Sequence, residues 1–141
     1  MIMDKRSQIA FWALVGVFVI VISVFAIQVV SELIPVGVLM LGAGIAFLVL
    51  GTLLIYFTLK GAARGLLKKF LLTIGASAVG LPISVILHNL VYGLFIHFFG
   101  ENFWDRIGTS DEPVFFVVGI IVCPLAFLVG AIGSIVMKVK R

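Results

Sequence analysis

The stretch VGVLMLGAGIAFLVLGTLLIYFTL (Val36–Leu59), followed at once by KGAARGLLKK (Lys60–Lys69), decides the fold. Twenty-four residues pass without a charge, and then four bases arrive within ten positions. An α-helix needs about 20 apolar residues to cross roughly 30 Å of hydrocarbon, and it satisfies its own backbone hydrogen bonds on the way. The segment reads as a membrane-spanning helix with a basic end at a membrane surface.

Working outward, three more apolar runs reach spanning length: Ile9–Val30, Phe70–Phe99 and Val114–Met137. They lack the alternating polarity of barrel strands. The first follows Asp4, Lys5 and Arg6 but is too long for a signal-peptide core of roughly 7–15 residues, so it reads as a retained helix. The sequence thus predicts an all-α integral membrane four-helix bundle, one domain over 1–141, with helices at about 9–30, 36–59, 70–93 and 114–137. A basic inner loop at 60–69 and an outer loop at about 94–113 complete it.

Composition agrees. Of 141 residues 63% are hydrophobic and only 11% charged, with a mean hydropathy of +1.35. A soluble domain has about a quarter of its residues charged, so a soluble enzyme, a nucleic-acid-binding module and a disordered tail are all excluded. The net charge of +4 finds another meaning in its distribution. Lys5, Arg6, Lys60, Arg64, Lys68, Lys69, Lys138, Lys140 and Arg141 fall on one side of the four spans. Glu32, Glu101, Asp105, Asp111 and Glu112 fall on the other, with Arg106 as the one base. The positive-inside rule then predicts cytoplasmic N and C termini in a multi-pass protein of the cell membrane. Short connections at Ser31–Pro35 and 60–69 predict antiparallel neighbours.

Lipid tails are as apolar as leucine, so helices in a bilayer associate through close backbone approach at small residues and through polar contacts. Candidate seams are Gly37, Gly44, Gly51 and Thr58 at seven-residue spacing in the second span. Ala76, Gly80 and Ser84 follow every four residues in the third, and Ala126, Gly130 and Ser134 do so in the fourth. Pro82 and Pro124 each remove a backbone donor and are expected to kink their helices.

The costly polar residues cluster in the third span. Ser84, His88 and Tyr92 share a helix face near the outer boundary, with Asn89 beside them. They form a candidate polar pocket, to be weighed against a structural role in which His88 and Asn89 bond to a neighbouring helix or to the outer loop. His97 lies on the opposite face and reads as interfacial. In the outer loop Phe103 and Trp104 look like an interfacial anchor, and Ser110 or Asp111 is expected to cap the fourth helix ahead of Glu112 and Pro113. The outer carboxylates match no known metal-ligand spacing, and the basic inner loop is expected to fix topology.

No catalytic motif emerges. Gly75–Ala76–Ser77 invites comparison with the Gly-x-Ser of intramembrane serine proteases, but His88 lies eleven residues on along the same helix, too far for proton transfer. Cys123 is the one cysteine, which excludes an internal disulfide or a CxxC pair. Small multidrug transporters need a glutamate in the first helix, where this chain has no ionisable residue between Ile9 and Val30. Nine bases against one also depart from the balance of dual-topology channels. The expectation is a structural, scaffolding or accessory protein without metal or cofactor, partnered by the lipid bilayer and by a second copy or a larger membrane protein. The alternative is a transporter or channel subunit with an outward-facing polar vestibule on the third helix.

Overall fold

The computed structural model describes residues 3–26 and 36–139. Among these the chain is helical without a strand, and four helices are long and apolar enough to cross a membrane. The expected end of the first span beyond Ala26, the connection at 31–35 with Glu32, and Lys140 and Arg141 lie outside the described residues.

Helix α1 runs Lys5–Ala26, α2 Val36–Lys60 and α3 Gly65–Phe99; a single turn, α4, spans Phe103–Arg106. The fourth span begins as α5 (Pro113–Val117), widens into a π turn at Val118–Val122 and continues as α6 (Cys123–Val139). Two boundaries differ from those expected. The connection expected at 60–69 shrinks to 61–64, because Gly65 to Lys69 join the first turns of α3. Helix α3 also continues through Gly93, where a glycine costs a helix only about 1 kcal/mol, and stops at Gly100, whose φ of +91° leaves the helical region. Its 35 residues span roughly 50 Å, well beyond the hydrocarbon thickness, so one end must project.

The two internal prolines act differently. Helix α3 stays continuous through Pro82. In the fourth span the π turn lies just ahead of Pro124, and the Cys123 N–H donates to Val118 O, five residues back. Proline lacks an N–H and crowds the carbonyl four residues earlier; a wider turn relieves that conflict.

Helix α3 is the hub, packed against α2 on one side and against α5, the π turn and α6 on the other, while α1 packs on α2. The closest approaches are made at glycine. A methyl group on Gly75 would lie 3.0 Å from Gly51 O, and one on Gly51 would lie 3.0 Å from Gly75 O. On the other side of α3, a methyl on Gly130 would sit 3.0 Å from Phe70 O and 2.7 Å from Ile74 Cγ1. Gly80 faces Cys123, Gly119 faces Ser84, and Gly44 has ordinary contact with Pro82, whereas Gly37 has open space around it. Ala76 is exposed, and the small residues that meet α2 are Gly75 and Ala78. Ala126 is half-buried; Ser134 is buried.

Where α1 meets the fourth span, large side chains fill the gap instead. Phe18 stacks on Phe127 with ring centroids 4.5 Å apart, and Phe47 meets Phe127 edge-on. Leu14, Leu54, Leu71 and Ile74 lie fully buried between the helices. The two regimes predict different responses to added volume. Gly75→Val should destabilise the protein by about 1–3 kcal/mol, because a backbone carbonyl cannot move aside as a side chain can. Gly42→Val, with open space at that position, should leave thermal unfolding in detergent nearly unchanged; equal losses in the two variants would contradict the seam.

Candidate functional site

The end of the bundle away from the basic connection is organised around Glu112. Pro113 occupies the first position of α5, where its missing N–H costs nothing, so the residue before it becomes the N-cap. The Glu112 side chain accepts from Val114 N at 2.8 Å and from Phe115 N at 2.9 Å, so Glu112 makes the cap that Ser110 or Asp111 was expected to make. Asp111 supports it by accepting from the Glu112 N–H at 2.8 Å.

His88 on α3 completes the arrangement. Its Nδ1 lies 3.1 Å from Glu112 O and 3.3 Å from Glu112 Oε2. Both are acceptors, so Nδ1 carries the proton and donates to them. The Nε2 atom is 3.5 Å from Asp111 Oδ1. Side-chain exposure falls from 50% at Asp111 to 17% at His88 and 4% at Glu112. A carboxylate this deeply buried needs donors, and three converge on it: two amides of α5 and the imidazole of α3. Phe116 covers the imidazole with its ring centroid 5.8 Å away.

The four residues of the candidate pocket separate. Ser84 is buried where α3 crosses the π turn, beside the Cys123 thiol and against Gly119. His88 belongs to the Glu112 cap. Asn89 is exposed, and its side chain donates to Val85 O of its own helix at 2.8 Å. Tyr92 stacks on Trp104 at 5.9 Å with ring planes 7° apart, and Trp104 Nε1 donates to Tyr92 O. A rotation of about 100° per residue separates Asn89 from the face that carries His88.

Phe103 and Trp104 lie in an aromatic roof with Tyr92, Phe95 and Phe99. Phe95 is 5.0 Å from Phe103 and 5.4 Å from Trp104, and Phe99 is 5.1 Å from Phe103. Trp104 itself is buried. Arg106 donates to Phe99 O and so satisfies a carbonyl at the end of α3, while His97 is exposed against Phe98. The loop therefore folds back onto α3.

Two cavities lie elsewhere. One of about 430 Å³ between α1, α2 and α3 is lined by apolar side chains that include Val21, Phe47 and Pro82. The other, of about 830 Å³, lies at the basic end beside Arg6 and Lys60. Neither includes Ser84, His88, Asn89 or Tyr92. Among the described residues no group of three His, Cys, Asp or Glu side chains has the geometry to hold a metal ion. Comparison of the chain with protein-family models, curated proteins and solved structures finds no match.

The shared carboxylate makes a coupling prediction. Glu112→Ala should cost more than Asp111→Ala in reversible unfolding, by at least the roughly 1 kcal/mol of a lost N-cap. His88→Ala and Glu112→Ala should fall short of additivity in a double-mutant cycle, since each removes the same tie. Strict additivity would show that the imidazole and the cap act independently.

Proposed function

We propose that this chain is a structural or accessory subunit of the cell membrane, with four antiparallel spans, cytoplasmic termini and a cytoplasmic basic connection. The observation that carries the reading is where the polar groups of the third span and its following loop go: they bond within the protein, either across elements or inside their own helix. His88 ties α3 to the cap of α5, Trp104 donates to α3, and Thr73, Ser77 and Asn89 bond within their own helix. What faces outward is mostly apolar, including Val49, Ile86, Ile120 and Ile132. Such a surface suits lipid, a second copy or a larger membrane protein.

The contacts at the basic end support the proposed sidedness. Lys138 of α6 lies over Trp12 of α1 at 5.9 Å, and Arg6 of α1 lies over Phe57 of α2 at 6.0 Å. These contacts gather the start of the first span and the ends of the second and fourth at one surface. Cationic ends that meet at one surface are what the positive-inside rule requires.

A second reading, as a transporter or channel subunit, draws on one feature: the π turn at Val118–Val122 abuts Ser84, one helical turn from His88. Helix irregularities of this kind occur often at working sites. It predicts that His88→Ala abolishes a solute flux in proteoliposomes while the protein remains folded.

Two measurements test the structural reading. Cys123 is buried, so a cysteine placed at Arg64 should be labelled by a membrane-impermeant maleimide only after the cell is opened, and one at Asp105 in intact cells. Reversed labelling would overturn the orientation. Native mass spectrometry from mild detergent should find a homo-oligomer or a stoichiometric partner; a strictly monomeric, partner-free particle would count against the accessory role.

A further inference from the structure

We propose that the cavity at the basic end, formed by Asp4, Arg6, Tyr56, Phe57, Lys60 and Gly61, binds the phosphate ester of a lipid headgroup. The proposal rests on the membrane reading of the chain but not on which side the basic end faces. Its volume of about 830 Å³ leaves room for a headgroup, and it opens where the start of α1 meets the end of α2.

Arg6 and Lys60 both line it, and among the described residues neither has a carboxylate within ion-pair distance. Both are held in place by aromatic groups. Lys60 Nζ donates to the Tyr56 hydroxyl at 2.7 Å and lies 4.6 Å from the centre of that ring, and the Arg6 guanidinium lies over Phe57. Cations positioned in advance lose less freedom when an anion arrives. Headgroup phosphates are the anions most concentrated at this depth.

The neighbouring surface favours a lipid over a free phosphate. Val49, Leu53, Tyr56 and Lys60 recur at spacings of four, three and four, so they share one face of α2. All four are exposed. An acyl chain can therefore lie along Leu53 and Val49 while its phosphate meets Lys60. Asp4 refines the choice. With two cations and one carboxylate, the cavity carries a formal charge of +1, which matches a singly charged phosphodiester. Asp4 also accepts hydrogen bonds, which a glycerol or ethanolamine headgroup can donate and choline cannot.

The test is native mass spectrometry of the full chain, released from detergent after equilibration with equal amounts of phosphatidylglycerol, phosphatidylethanolamine and phosphatidylcholine. The first two should be retained over the third, and Arg6→Gln/Lys60→Gln should lower their retention by about tenfold or more. Lys68→Gln/Lys69→Gln, which removes equal charge from the start of α3, should lower it much less. Equal losses from the two pairs would reduce the site to diffuse attraction, and unchanged retention in the first pair would overturn it outright. Soluble glycerol phosphate at millimolar concentration should leave the lipid in place; full displacement would assign the cavity to a soluble phosphate ester. If the Arg6 and Lys60 pair fails to fold, Tyr56→Phe, which frees Lys60 from its hydroxyl partner, should weaken retention in the same direction.

Discussion

Everything in this bundle depends on helices approaching one another without water to drive them together. In hydrocarbon the gain from association comes from close contact and from polar groups that find partners, since lipid would cover an apolar face equally well. The reciprocal approach of Gly51 and Gly75 brings backbone within reach of backbone, and Gly130 does the same against Phe70. Helix α3 thus becomes the element on which both α2 and the fourth span seat. Helix α1 is held by another means, through the Phe18, Phe47 and Phe127 rings, which fill a wider gap with polarisable surface.

The ends of the bundle solve a different problem, because helix termini leave backbone groups unsatisfied. At the end away from the basic connection one carboxylate does several tasks at once: Glu112 caps α5, places negative charge at the positive end of that helix, and receives the imidazole of α3. The α3 terminus is closed by Gly100 and by Arg106. His88 and Glu112 are thereby drawn into packing, while Asp111 stays half-exposed. At the basic end Arg6, Lys60 and Lys138 lie over aromatic rings, and among the described residues they have no anionic partner.

How much of this was legible in the sequence follows from the reach of each signal. Spanning helices are set by hydrophobic length, which Val36–Leu59 displays without ambiguity. Seams are harder, because a helix with many small residues offers several stripes about 100° apart. Of the four-residue pattern in α3, Gly80 and Ser84 meet the fourth span, whereas Ala76 is exposed and its neighbour Gly75 makes the approach to α2. The Glu112 cap left a readable mark in Pro113 at the first helical position, which points to the residue before it as the cap. The partnership of His88 with Glu112 left none, since 24 positions separate them and only the return of the loop brings them together.

That return also explains why the polar face of α3 is not a single feature. Each of its residues meets whatever lies opposite: Ser84 the π turn, His88 the cap, Tyr92 the buried indole of Trp104. A helix face shared in sequence becomes one site only if one neighbour runs alongside it throughout. Here the neighbour changes from the π turn to α5 and then to the α4 loop within two turns. Proximity along α3 is therefore a weak guide to shared chemistry in this chain. The groups that do converge, Glu112 with His88 and Arg6 with Lys60, come from different helices or from a helix and its incoming loop, as convergence on a common point requires.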